Sequence, residues 1–354
     1  MKKIGIMSMQ RIVNYGSFLQ AYGLKNIVNE IGYKEVQFVD YVYEKALSVK
    51  SDDEMKHSRK KSLKKRICGK LFTMACANQL KKDLKAIGID NYNYHPDIDT
   101  LIIGSDEVFN CIQQYPVGYS RELFGKNYEE KNVISYAASF GYTTEADLNK
   151  FEIKNEVAEM LLNFSAISVR DDNSYSLIEK LTGRQATLHL DPVLIYDFEQ
   201  EMKRKPLNSG EYIIIYAYTN RLNLEEEKYI KNFAKRHNKK IYSIGNYSRI
   251  ADKNIICSPL DVFSYFKGAD YIITDTFHGT IFSIKTNSKF CTIIRESNRN
   301  KLVALLEKLN REDRIVSFLD DIETLFRKEI DYGNTNKIIK DEKARTYTYL
   351  MNNI

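Results

Sequence analysis

Several features that would assign a function quickly are missing. No apolar run approaches the roughly 20 residues that a membrane-spanning helix needs, which excludes a helical membrane protein. Five cysteines, Cys68, Cys76, Cys111, Cys257 and Cys291, are odd in number and scattered, with no C-x-x-C among them. That pattern argues against a disulfide framework and a structural zinc site, and it suits a reducing, cytoplasmic setting. There is no internal repeat, no low-complexity tract, no G-x-G-x-x-G and no Walker A run. Dinucleotide and P-loop readings therefore lack support. The start, Met1 to Met7, resembles the opening of a signal peptide, but it breaks at once into Ser8, Gln10, Arg11 and Asn14. It reads instead as a buried first strand.

What is present is ordinary in bulk. A chain of 354 residues exceeds one hydrophobic core, so two domains are expected. The 43% hydrophobic and 28% charged fractions are those of a globular protein. The net charge of +6 is local: residues 56 to 66 hold seven Lys or Arg and no acid, and the remainder is close to neutral.

Strand-like and helix-like segments alternate. Lys3–Met9, Val36–Asp40, Thr100–Ile103, Val133–Ala137, Ala166–Arg170 and Thr187–Leu190 read as strands of a first series. Ser17–Ile31, Glu145–Asn163 and Asp172–Thr182 read as its helices, and residues 45–95 as a basic helical insertion. Tyr196–Glu211, with Pro206 and Gly210, reads as a linker. A second series follows with strands Tyr212–Tyr218, Lys240–Ile244, Asn254–Cys257, Tyr271–Thr274 and Phe290–Ile294. Alternation of this kind predicts α/β architecture, with two Rossmann-like lobes of parallel sheet facing a central cleft. The expected lobes are 1–196 and 197–334, with 335–354 as a helix packing back on the first.

In open α/β sheets, ligands bind beyond the carboxyl ends of strands. Four such places are polar here. Asn14-Tyr15-Gly16-Ser17, with Gln20 beyond, suits a tight turn with close backbone approach at Gly16, and Ser17 is a plausible N-cap; an ordinary capped helix explains it as well. Ser105-Asp106-Glu107 suits hydrogen bonding to a polyhydroxylated ligand, with Asp106 a candidate base, or equally another N-cap. Arg170 offers a planar fork for a carboxylate or phosphate, or a salt bridge to Asp171 or Asp172. Thr274-Asp275-Thr276-Phe277-His278-Gly279 puts a histidine in the first turn of a helix, with Gly279 leaving room for a ligand. Arg295, Arg299 and Lys301 then bring three cations within seven residues.

Together with Ser135-Tyr136-Ala137-Ala138-Ser139-Phe140-Gly141 and Leu190-Asp191-Pro192-Val193-Leu194, these ordered blocks resemble the polysaccharide pyruvyltransferase family over roughly residues 1 to 310. Glu107, Phe109 and Thr276 are mild departures, standing where Gln, Trp and Ser are commoner. The resemblance implies a glycosyltransferase-B-like fold and transfer from phosphoenolpyruvate to two hydroxyls of one sugar, giving a cyclic pyruvate ketal and phosphate. It implies His278 as general acid and Asp106 as base, and Arg170, Arg295, Arg299 and Gly279 on the donor. Asn14, Gly16, Gln20 and Ser105 would then face the acceptor. No cofactor, metal or nucleic acid is implied. A helix start disfavours a cationic imidazole, so an acid role calls for a negative partner such as Asp275 or bound phosphate. A lipid-linked acceptor would suit a peripheral membrane contact through 56–80, although a solvated insertion helix is the plainer reading of that segment. A nucleotide-sugar glycosyltransferase and a non-catalytic glycan or phosphate binder are the competing readings.

Overall fold

The computed structural model describes residues 2–47, 63–114, 117–202, 210–219 and 221–354, without the side chains of 63–67. Two six-stranded sheets form, and every pairing within them is parallel. The first contains β1 (Lys3–Met7), β2 (Glu35–Val39), β3 (Thr100–Asp106), β4 (Asn132–Ala138), β5 (Ser168–Val169) and β6 (Thr187–Leu188), in the order β2-β1-β3-β4-β5-β6. The second contains β7 (Tyr212–Tyr216), β8 (Lys240–Ile244), β9 (Lys253–Ile255), β10 (Tyr271–Thr274), β11 (Phe290–Ile293) and β12 (Ile315–Val316), in the order β12-β11-β10-β7-β8-β9. The second order is that of a doubly wound dinucleotide-type sheet.

The central strands are buried on both faces, as parallel sheets require. All seven residues of β3 and all five of β7 are buried. Their chain order reverses between β1 and β3 in one lobe and between β7 and β10 in the other. At such a reversal the connecting helices depart to opposite faces, which opens a crevice at the strands' carboxyl ends. Asn14 and Asp106 follow the first switch point, and Tyr218 and His278 follow the second.

The expected helix Glu145–Asn163 is two, Glu145–Lys150 and Lys154–Leu162, parted by Glu152 at φ 57. Strand β12 has only two residues and gives no periodic signal in the sequence. In the insertion, helix Leu63–Ala86 buries Cys76, Leu80 and Leu84, while its Phe72 ring lies 6.2 Å from that of Tyr247 in the second lobe. Leu71 and Met74 are exposed. The basic run itself falls on residues 56–62, outside the described residues, and on 63–66, whose side chains are not described. Helix Gly333–Asn353 returns to the first lobe, where the Tyr349 hydroxyl donates to the Ser135 carbonyl at 2.9 Å. Among the described residues, no helix is long and apolar enough to cross a membrane.

One hydroxyl ties the lobes directly. Tyr15 donates to the Cys257 carbonyl at 2.7 Å and accepts from the Cys257 amide at 3.2 Å. Gly245, at φ 69, lets the loop after β8 lie against the Tyr15 ring. Tyr15→Phe leaves two buried backbone groups unsatisfied and should cost about 1–3 kcal/mol. Urea unfolding measures this, and an unchanged midpoint would show that the bridge contributes nothing.

Candidate active site

The first lobe supplies its polar groups from four strand ends. After β1, Asn14 caps helix Tyr15–Glu30, its Oδ1 accepting from the Gly16 and Ser17 amides at 2.8 and 3.4 Å. The expected cap was Ser17. Because Asn14 takes that task, the Ser17 hydroxyl is released to donate to Asp106 Oδ2 at 2.6 Å. Asp106 ends β3 with φ 74, a left-handed backbone that L-residues seldom adopt. Its Oδ1 accepts from its neighbour's amide, that of Glu107, at 3.0 Å. Such strain recurs where side-chain aim matters more than backbone comfort.

Arg170, just past β5, lies between two carboxylates. Nη2 is 3.4 Å from Asp106 Oδ1 and Nη1 is 3.1 Å from Asp191 Oδ2. Asp191 follows β6 and caps the short helix Pro192–Ile195, with its Oδ1 accepting from the Val193 amide. Its Oδ2 also accepts from Ser105 Oγ at 3.2 Å. The Arg170 side chain is 2% exposed, and a guanidinium so deeply placed needs this pairing to offset its lost hydration.

The second lobe supplies a helix start. Asp275 follows β10, and Thr276 caps helix Phe277–Lys285 by accepting from the Gly279 amide at 2.9 Å. Phe277 and His278 reach across to the first lobe. The Phe277 ring lies under Arg170, with Cζ 4.5 Å from its centroid. His278 Nε2 stands 3.5 Å from Asp191 Oδ2. That approach is too long for a good hydrogen bond. Nε2 is buried and has no hydrogen-bond partner among the described residues.

Gly16 explains how the ring fits. A methyl group there would stand 2.1 Å from His278 Cγ and Nδ1. The close approach foreseen at Gly16 is therefore by the imidazole of the other lobe. Gly279 also has a packing reason, since a methyl group on it would meet Thr274 Oγ at 2.1 Å and Tyr216 at 2.8 Å. It makes room for its own strand end, whereas the sequence suggested a ligand.

Other expected residues are differently engaged. Gln20 is fully buried behind the site, donating to Ser8 Oγ and the Ser17 carbonyl, and so cannot line an open acceptor surface. Asn14 Nδ2 meets the Tyr218 hydroxyl at 3.4 Å. Arg295 was expected on an anion, but its Nη1 and Nη2 pair with Glu226 at 2.6 and 3.0 Å, and its Nε pairs with Asp275 at 3.1 Å. Both acids are buried and need a cation, so the lobe's own carboxylates occupy that guanidinium. Asp275 is thereby turned toward Arg295 and Arg221, and Asp191 is the carboxylate beside His278. Arg299 is exposed at the start of helix Arg299–Lys308 and makes no ion pair among the described residues.

Two participants, Asp191 and Glu226, were overlooked, and a third, Lys301, is foreseen in the sequence only as one of three neighbouring cations. Asp191 was within reach of the strand-end rule that found Asp106. Lys301 of the second lobe pairs with Glu107 of the first. Glu226 lies on a helix far along the chain, and nothing in the sequence pointed to it. Among the described residues no group of three or more His, Cys, Asp or Glu is arranged to hold a metal ion.

The charges are mutually adjusted. Burial alone would raise the Asp106 carboxyl, but Arg170, His278 and the Ser17 hydroxyl more than offset it and hold it below the usual range. Burial likewise pushes Asp191 up, and His278, Arg170 and the Val193 amide bring it down. Both are therefore carboxylates at neutral pH. The cluster can accept a proton at an oxygen, and it presents an imidazole nitrogen to whatever enters.

Residues 14–297 match the model of the polysaccharide pyruvyl transferase family. No curated protein matches the chain in sequence. Among solved structures, trehalose-6-phosphate synthase OtsA is similar at a TM-score of 0.54 and 8% identity, over 99% of this chain and 98% of that one. A putative UDP-N-acetylglucosamine 2-epimerase from Listeria monocytogenes gives 0.52 and 8%, over 99% and 94%. The Methanocaldococcus jannaschii UDP-GlcNAc 2-epimerase gives 0.51 and 11%, over 98% and 99%. At such identities the likeness is one of fold: two lobes of the glycosyltransferase-B type.

Two outcomes follow from this geometry. Gly16→Ala should destabilise the protein by about 1–3 kcal/mol through overpacking, yet be nearly silent when combined with His278→Ala. Additive losses in the double-mutant cycle would refute the contact. Because the folded values of Asp106 and Asp191 are depressed, their stabilisation is full above the ordinary value of 3.8 and is lost as pH falls through the folded values. Thermal melts below about pH 4 should therefore show a steeper loss for the wild type than for Asp191→Asn. Equal slopes would contradict the assignment.

Proposed function

We propose that this chain, which belongs to the polysaccharide pyruvyl transferase family, forms a cyclic pyruvate ketal on a sugar of a surface polysaccharide or its lipid-linked precursor, with phosphoenolpyruvate as donor. The observation that carries the reading is the buried His278 Nε2, which has no hydrogen-bond partner among the described residues and is held by one lobe against the Asp106–Arg170–Asp191 cluster of the other. A proton donor is what an enol needs, and a carboxylate is what a sugar hydroxyl needs.

The steps balance. His278 delivers a proton from Nε2 to C3 of phosphoenolpyruvate, and C2 becomes electrophilic. A sugar hydroxyl adds to C2 and gives its proton to Asp106. A second hydroxyl of the same sugar then attacks C2, the C2–O bond to phosphate breaks, and its proton leaves with phosphate. Asp191 and Arg170 fix the geometry: Asp191 faces the imidazole, and Arg170 keeps both carboxylates apart and ionised. Ser105 orients Asp191, and Ser17 orients Asp106.

Arg299 and Lys301 are the donor's cations in this reading. Arg299 makes no ion pair among the described residues, and Lys301 pairs with Glu107 and sits 5.9 Å over the Phe277 ring. Arg170 and Arg295 act behind them by ordering the acids. The first lobe takes the acceptor and the second the donor.

The test is phosphate release from phosphoenolpyruvate with galactose- and mannose-type acceptors. His278→Ala should abolish ketal formation while phosphoenolpyruvate still raises the melting temperature. Wild-type turnover in that variant would overturn the assignment, and stabilisation by a nucleoside diphosphate instead of phosphoenolpyruvate would favour a glycosyltransferase.

A further inference from the structure

A second cavity, about 250 Å³ in volume, opens in the first lobe where β1 and β2 end. Ser8, Asp40, Tyr41, Tyr43, Tyr92 and Tyr94 are among the residues that line it. Four tyrosines in one small cavity are unusual for a structural pocket, because three of their rings gain little from burial: Tyr43, Tyr92 and Tyr94 are 44%, 68% and 45% exposed. They are nonetheless held in place. Tyr92 and Tyr94 stack at 5.6 Å with planes 10° apart, and the Arg11 guanidinium sits 4.3 Å over Tyr92. Arg11 is itself fixed by Asp40, whose Oδ2 also accepts from the Asn93 amide at 2.8 Å. The segment carrying both rings is therefore strapped to the end of β2. Tyr43 closes the other side, edge-on to Tyr41 at 5.3 Å.

Tyr41 differs from its neighbours. Its side chain is buried, and its hydroxyl has no hydrogen-bond partner among the described residues. A buried hydroxyl without a partner costs free energy unless something else completes it. The cavity also adjoins the proposed base. Ser8 donates to the Ser105 carbonyl at 3.2 Å, and Met7 of β1 is in register with Ile103 of β3, so Asp106 lies just beyond the lining. Asp106 is among the negative groups that, after burial, hold the Tyr41 proton on.

We propose that this tyrosine-lined cavity is the acceptor subsite, a platform for one pyranose ring that directs its hydroxyls toward Asp106. The inference rests on the pyruvyl-transfer reading for its last clause and on the cavity alone for the sugar. Ring faces of tyrosine offer flat apolar surface to the C–H face of a saccharide, while the Tyr41 hydroxyl offers a donor and an acceptor to its hydroxyls. The volume admits a single sugar ring and not an extended chain segment, so the rest of the acceptor would run out over Tyr92 and Tyr94.

Saturation-transfer NMR with the methyl glycosides of galactose, mannose and glucose tests this on wild type, Tyr41→Phe and the double variant Tyr92→Ala/Tyr94→Ala. The double variant alters exposed rings, and Tyr41→Phe removes one oxygen that has no partner among the described residues, so both should remain folded. At least one glycoside should receive saturation in the wild type. Its affinity should fall by about tenfold in the double variant and by about three- to tenfold in Tyr41→Phe, with the phosphoenolpyruvate melting shift unchanged in both. In turnover, acceptor KM should rise while donor KM stays constant. Absence of transfer to any glycoside, or undiminished transfer in the double variant, overturns the subsite. Tyrosine-dependent sugar binding without any response to phosphoenolpyruvate leaves the subsite standing and removes the pyruvyl-transfer reading.

Discussion

Arg170 has almost no contact with water, and a charge withdrawn from water has to be met by opposite charge and hydrogen bonds. Asp106 and Asp191 both meet it, one from each side, which leaves one negative charge in excess among the three groups. The group that approaches this excess comes from the other lobe: His278, at the start of a helix whose preceding strand sits at the second switch point. Much of the surrounding structure serves this meeting. Gly16 gives up its side chain to the imidazole, and Phe277 covers the guanidinium face. Ser17 and Ser105 each hold one carboxylate oxygen in place. Lobes joined in this way are joined by the groups of the candidate site themselves, with Tyr15 as an additional tie.

The architecture was largely legible because alternation of apolar strands with amphipathic helices is a local signal. So was the place of the candidate site, since residues after buried parallel strands face a crevice wherever strand order reverses. Partnership was not legible. Arg295 looks like an anion ligand until Glu226, 69 positions earlier in the chain, is found beside it. Gly279 and Gly16 look equivalent in sequence, yet one accommodates its own strand and the other a residue 262 positions away. Ser17 and Asn14 are both good caps, and only the backbone geometry decides which hydroxyl or amide remains for other work. In each case the deciding contact is non-local, and spacing along the chain carries no record of it.

The same pairing bears on how an anionic donor would be received in the proposed reaction. Arg170 and Arg295 cannot turn toward phosphoenolpyruvate without abandoning buried carboxylates, and a buried carboxylate left alone costs more than the new contact returns. Lys301 is in a different position: it and Glu107 are each 20% exposed on the side chain, and they belong to opposite lobes. Water can replace part of what that pair loses, so in the proposed reaction Lys301 would exchange a carboxylate for a phosphate at smaller cost than Arg170 or Arg295. Because its present partner lies across the cleft, the exchange would also release a tie between the lobes at the moment the donor enters. Donor binding and lobe movement would then be one electrostatic event, while the buried Asp106–Arg170–Asp191 cluster stays fixed as the surface against which His278 is positioned.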